Sequence, residues 1–180
     1  MFAFYDRTVA TLSRTGDDLL PLLARFVFAA VLLVYYLNSG LTKVGDGLFG
    51  VFNPSLGAYA QIWPRAMEAV GFDVSQMSAF QTLVVVAGTV AEFILPVLVV
   101  IRLLTRLAAL GMIGFVVVQS LTDIVGHGAA FGAWFDRGSD AVIADQRAMW
   151  MILLLVLVFK GGGWLSLDRL FSGRVARQAA

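Results

Sequence analysis

Four stretches almost free of charge constrain this chain more than any other feature. Twenty-four residues separate Asp18 from Lys43 and carry one charge, Arg25. Twenty-eight separate Asp73 from Arg102 and carry only Glu92. Sixteen between Arg106 and Asp123 carry none, and twelve, AMWMILLLVLVF, separate Arg147 from Lys160. A helix needs about 20 apolar residues to cross hydrocarbon, or about 17 at the short limit. The third run reaches that length when Arg102 and Arg106 snorkel to the headgroups. The fourth does so when Lys160 snorkels and the helix begins near Ala144. The pattern predicts an all-α fold: a polytopic membrane four-helix bundle with helices at about 20–42, 78–101, 104–122 and 145–162. A half-buried, re-entrant fourth segment is the alternative. Only 14% of residues are charged, against about 25% in soluble domains, so the whole of 1–180 reads as a single transmembrane domain.

The basic residues set an orientation. Nine would lie on one side of such a bundle (Arg7, Arg14, Arg25, Arg102, Arg106, Lys160, Arg169, Arg174, Arg177) and four on the other (Lys43, Arg65, Arg137, Arg147). The side richer in Lys and Arg faces the cytoplasm, so both termini are expected there, in the cytoplasmic (inner) membrane. The two longer connections, about 43–77 and 123–144, are then extracytoplasmic. The first apolar run is too long for a signal peptide and contains Arg25. Surface helices are expected at 2–13, at 64–71 where Pro64 can open one, and at 166–172 where Ser166 can cap one.

Charge and residue inventory exclude several functions. A net charge of +1 makes no case for nucleic acid. The absence of cysteine removes disulfide exchange, thiol catalysis and iron–sulfur ligation. One histidine, His127, cannot supply bis-histidine haem ligation. Asp123 and His127 form an Asp-x-x-x-His pair that could offer two metal ligands, fewer than the usual three or four; a solvated acidic loop is the better reading. No nucleophile motif accompanies the histidine, so the isolated chain reads as a non-enzyme without a covalently bound cofactor.

Glu92 is the residue that demands explanation. A charge near mid-membrane costs on the order of 3 kcal/mol on insertion scales and is rarely decorative. Pro96 cannot donate the hydrogen bond that the carbonyl of residue 92 would accept. Ala87, Gly88 and Ala91, with Gly111 and Gly114 on the next helix, are small enough to let helices close in. Arg25 is the expected partner. Three readings stay open: a structural ion pair, a proton-transfer or ligand site, and a protonated, hydrogen-bonded carboxyl. A second polar group, Tyr35, Tyr36, Asn38, Lys43, Gln81, Gln119 and Ser120, gathers toward the outer face. It could hold a quinone head group, which needs donors for its carbonyls inside an apolar cleft, or form the ordinary polar rim of a bundle.

Several motifs carry a resemblance in their order along the chain. They are LLARFVFAAVLLVYYLNSGLTKV (22–44), AEFILPVLVVIRLLTRLAALGM (91–112) and the ending KGGGWLSLDRLF (160–171). They include an Arg early in helix one, Gly40-x-x-Lys43 at its end, a Glu in helix two, and Gly161-x-Gly163-x-x-Ser166-Leu167-Asp168. Together these resemble the DoxX family of small four-helix membrane proteins, from about Leu22 to Leu170. This chain reads Gly161-Gly162-Gly163 where the family usually has Gly-Pro-Gly. The resemblance implies a non-catalytic membrane subunit or partner of a quinone-linked oxidoreductase system. Its partners would be the bilayer, other membrane or extracytoplasmic redox proteins, and a second copy in a homo-oligomer. A small-solute or proton-coupled carrier, favoured by Glu92 and Pro96, and a membrane anchor or assembly scaffold are the other two readings.

Overall fold

The computed structural model describes residues 2–161. The described residues are helical or irregular, and none is in a strand. The elements are α1 (Phe2–Phe28), α2 (Val34–Leu41), α3 (Leu56–Ile62), α4 (Pro64–Ala69), α5 (Ala79–Ile101), α6 (Thr105–Leu121) and α7 (Arg147–Lys160). A π-turn, Ala29–Leu33, joins α1 to α2 without a break. Further π-turns, Thr122–Gly126 and Val142–Gln146, extend α6 and open α7. Four helical runs are long and apolar enough to cross a membrane: Phe4–Leu41, Ala79–Ile101, Thr105–Gly126 and Val142–Lys160.

One expectation changes here, and another cannot be compared. Residues 2–13 are not a separate surface helix, because α1 runs continuously from Phe2 through Pro21. The expected C-terminal helix at 166–172, with Gly163, Ser166 and Asp168, lies outside the described residues. Pro64 opens α4 where its fixed φ suits the first helical position.

The four runs pack in a ring, α1/α2 against α5 and α7, and α6 between α5 and α7. Their shared core is Phe28, Leu32, Tyr36, Val99, Met112, Val116, Leu154 and Leu157, all nearly or fully buried. The short turn between α5 and α6 places Arg102 and Leu104 at positive φ, 66° and 50°, and defines the hairpin end of the bundle. At that end Lys160 bonds Asp17, with both side chains well exposed. A pair like this contributes about 0–1 kcal/mol.

At the opposite end the long connection 42–77 is not a free loop. α2 stops at Leu41, whereas α5 continues about 20 Å beyond Glu92 to Ala79, thirteen residues at about 1.5 Å each. α3 and α4 fill the space that α2 leaves. Ala58, Tyr59 and Met67 bury against Val85 of α5, and the Tyr59 hydroxyl lies 3.3 Å from Thr82 Oγ1. The descent from α2 turns tightly between Gly45 and Gly50. The Gly45 N–H donates to the Gly50 carbonyl at 3.0 Å, and a Cβ on Gly50 would lie 2.0 Å from the Gly45 oxygen. Before α5, the Asp73 carboxylate accepts from Ser75 Oγ and Gln76 Nε2 and from the Ser75 N–H. Those bonds hold it below the usual carboxylate range. Ser78 and Gln81 then form a reciprocal capping box at the start of α5.

Candidate functional site

Glu92 is buried in α5, but its partner is not Arg25. The Lys43 ammonium donates to Glu92 Oε1 at 3.0 Å and Oε2 at 2.9 Å. Ser39 ties the pair together: its hydroxyl donates to Glu92 Oε1 at 3.1 Å and accepts from Lys43 at 2.8 Å. Lys43 also reaches the Ser39 carbonyl at 3.2 Å. The ammonium thus has an acceptor for each of its donors, which is what makes a buried charge tolerable. Ser39 lies in the last turn of α2 and Lys43 in the turn that follows it, four residues on, and the two side chains meet on one side of the helix end.

Helix register explains why Arg25 is excluded. Arg25 precedes Ser39 by fourteen residues, about 21 Å along a helix, so no side chain spans the gap to Glu92. The register is set by Gly40, where a Cβ would come within 2.8 Å of the Phe93 ring. The ring lies against bare backbone, and Glu92, the residue before Phe93, meets Ser39 and Lys43 at the same level. Arg25 is itself buried, four residues before the π-turn of helix one.

The ion pair lines a half-open cleft of about 520 Å³ between α2, α5 and α6. Ala87, Gly88 and Ala91 of α5 and Gly111 and Gly114 of α6 line it, with Leu95, Phe115 and Val118. Tyr35, Gln119, Thr122, Asp123 and His127 add polar groups, and Gln61 and Ile62 of α3 cover one end. Of the expected outer group, Tyr35, Lys43 and Gln119 come together here. Asn38 is exposed on α2 and Gln81 is spent on the capping box, so neither lines the cleft. Pro96 is buried within an uninterrupted α5, and Gly161 ends α7 at the hairpin end.

A short hydrogen-bond chain runs along the wall. The buried Tyr36 hydroxyl lies 3.4 Å from Gln119 Oε1, and Gln119 Nε2 donates to the Tyr35 hydroxyl oxygen at 2.9 Å. Among the described residues the Tyr35 O–H has no acceptor of its own. Tyr35 also packs on Trp150, with ring centroids 5.6 Å apart.

Asp123 and His127 are each engaged separately. Arg147, 4% exposed, donates to the Asp123 carboxylate and to Ser120 Oγ at 2.9 Å. His127 Nε2 lies 2.9 Å from the Gln61 carbonyl. A carbonyl only accepts, so Nε2 carries a proton in this contact. Among the described residues no three His, Cys, Asp or Glu side chains converge on one point.

Sequence reasoning missed Ser39, Gln61 and the Asp123–Arg147 pair. The four-residue spacing of Ser39 and Lys43 was the available signal for the first; the others are joined only by tertiary packing. No protein-family model, curated protein or solved structure matches this chain. The fold and the cleft define its class: an all-helical chain with four helices able to cross a membrane and a polar-floored cleft between three of them.

Proposed function

We propose that this chain is a multi-pass protein of the cytoplasmic membrane with both termini cytoplasmic. In this reading it is a non-catalytic membrane subunit or partner of a quinone-linked oxidoreductase system, and its cleft receives the quinone head group. The carrying observation is the cleft itself. It combines small apolar walls with an unspent Tyr35 O–H and a second Gln119 amide N–H, the donors that a quinone carbonyl needs. Such a site, mostly apolar with a few placed polar groups, is typical of small-molecule binding. The resemblance to DoxX proteins supports the choice of quinone and of membrane or extracytoplasmic redox partners.

Titration of the detergent-purified protein with ubiquinone-1 should quench tryptophan fluorescence saturably, through Trp150 beside Tyr35. Tyr35→Phe combined with Gln119→Leu should weaken that binding at least tenfold. Gentle purification should also yield redox subunits or quinone lipids by mass spectrometry. Failure of both experiments rejects this function.

One observation favours a proton-coupled carrier as second reading: Glu92 is buried yet lines the cleft. Solute or proton flux in liposomes holding this protein alone, abolished by Glu92→Gln, would select it.

A further inference from the structure

The helix-interior glycines of α2, α5 and α6 fall into two kinds. Gly40 and Gly111 are occupied by neighbours: a Cβ on Gly40 would lie 2.8 Å from Phe93, and one on Gly111 would lie 3.0 Å from Leu95. Gly88 and Gly114 are different. A Cβ on Gly88 would make only an ordinary contact, 3.5 Å from Ile62 Cδ1, and one on Gly114 would meet nothing within 4 Å. Close helix packing therefore does not account for either residue. A glycine inside a helix costs about 1 kcal/mol relative to alanine, and here no tertiary contact offsets it. Both residues line the cleft, from its α5 and α6 sides.

We infer that Gly88 and Gly114 are specificity-determining residues that hold the cleft open for the ring of an uncharged, lipid-soluble ligand. This rests on the cleft being a binding site, as proposed above. The ligand is uncharged because the ions on the wall are already paired, Lys43 with Glu92 and Asp123 with Arg147. It carries a polar head because an acyl chain alone would leave the Tyr35 O–H unspent at the wall. A Cβ at position 88 or 114 would stand in the ligand's space and come no closer than 3.5 Å to the surrounding protein.

The absence of cysteine provides a clean test. Gly114→Cys, Gly111→Cys and Leu110→Cys, the last one turn from Gly114 on the exposed side of α6 but outside the cleft lining, are made singly in the full chain. They are reacted with N-ethylmaleimide in native membranes. A thiol reacts as its thiolate, so the half-open cleft, with polar groups at its wall, should make position 114 react at least tenfold faster than 110 or 111. Ubiquinone-1 should slow it. Gly114→Leu should keep the melting temperature of the unaltered protein and lose ubiquinone-1 binding, whereas Gly111→Leu should lower the melting temperature. Equal labelling at 110 and 114 would overturn the inference, as would a loss of stability in Gly114→Leu matching that in Gly111→Leu. Fast labelling at 114 without protection by ubiquinone-1 supports the open slot and rejects the quinone as its ligand.

Discussion

The Lys43 ammonium lies 2.9 Å from Glu92 Oε2, and neither side chain is more than 6% exposed. The lysine lies two residues past the end of α2, and the glutamate lies in the middle of α5. Helix one therefore ends beside the buried carboxylate, and the chain folds back over it as α3 and α4. The pair joins two helices at the wall of the only cleft described above, so one contact bears on both stability and ligand access.

Removing one partner leaves a buried, uncompensated charge, which costs about 3–5 kcal/mol, whereas replacing both by apolar residues is often nearly neutral. Glu92→Gln and Lys43→Met should each lower the melting temperature in detergent, and the double variant should recover most of the loss. Arg25→Met should show no such coupling to Glu92→Gln. A Glu92→Gln protein as stable as the parent would show that the carboxylate is retained for function.

Gly40→Leu should destabilise by about 1–3 kcal/mol, the usual cost of overpacking, because the new side chain meets the Phe93 ring. Phe93→Ala in the same background should restore part of the loss. Thermal melts of the two single variants and the double decide it; additive losses would mean that Gly40 does not set the register through Phe93.

The Arg147–Asp123 pair is lopsided. The arginine side chain is 5% exposed and the aspartate 32%. Asp123→Ala should therefore cost more stability than Arg147→Met, since a carboxylate left alone can still reach water and a buried guanidinium cannot. Equal losses in chemical-denaturation or thermal melts would contradict the asymmetry.

Topology can be read directly. A reporter active only in the cytoplasm should work when fused after Arg174 and be silent when inserted at Gly57 or Gly138. Activity at Gly138 would mean that the run Val142–Lys160 does not cross the membrane.

The sequence by itself determined the helices. Runs of 24, 28, 16 and 12 nearly uncharged residues mark segments whose backbone must satisfy its own hydrogen bonds in hydrocarbon, and a helix does so locally. Pro64 likewise acts within a few residues, so the start of α4 was legible; the Ser78-x-x-Gln81 box is just as local, yet from sequence Gln81 reads as part of the outer polar group instead. Glu92 stood out for the same reason: a lone carboxylate among apolar residues is visible without any neighbour. Its partner was not visible. Arg25 and Lys43 both lie in or beside helix one, and the choice depends on how far α1 and α2 slide along α5. The contact of Gly40 with Phe93 decides that, fifty-three residues apart in the chain. The cleft is likewise a property of the assembled bundle. Gly88, Gly111 and Gly114 look alike in one dimension; only the packed structure shows which fits a neighbour and which faces empty space.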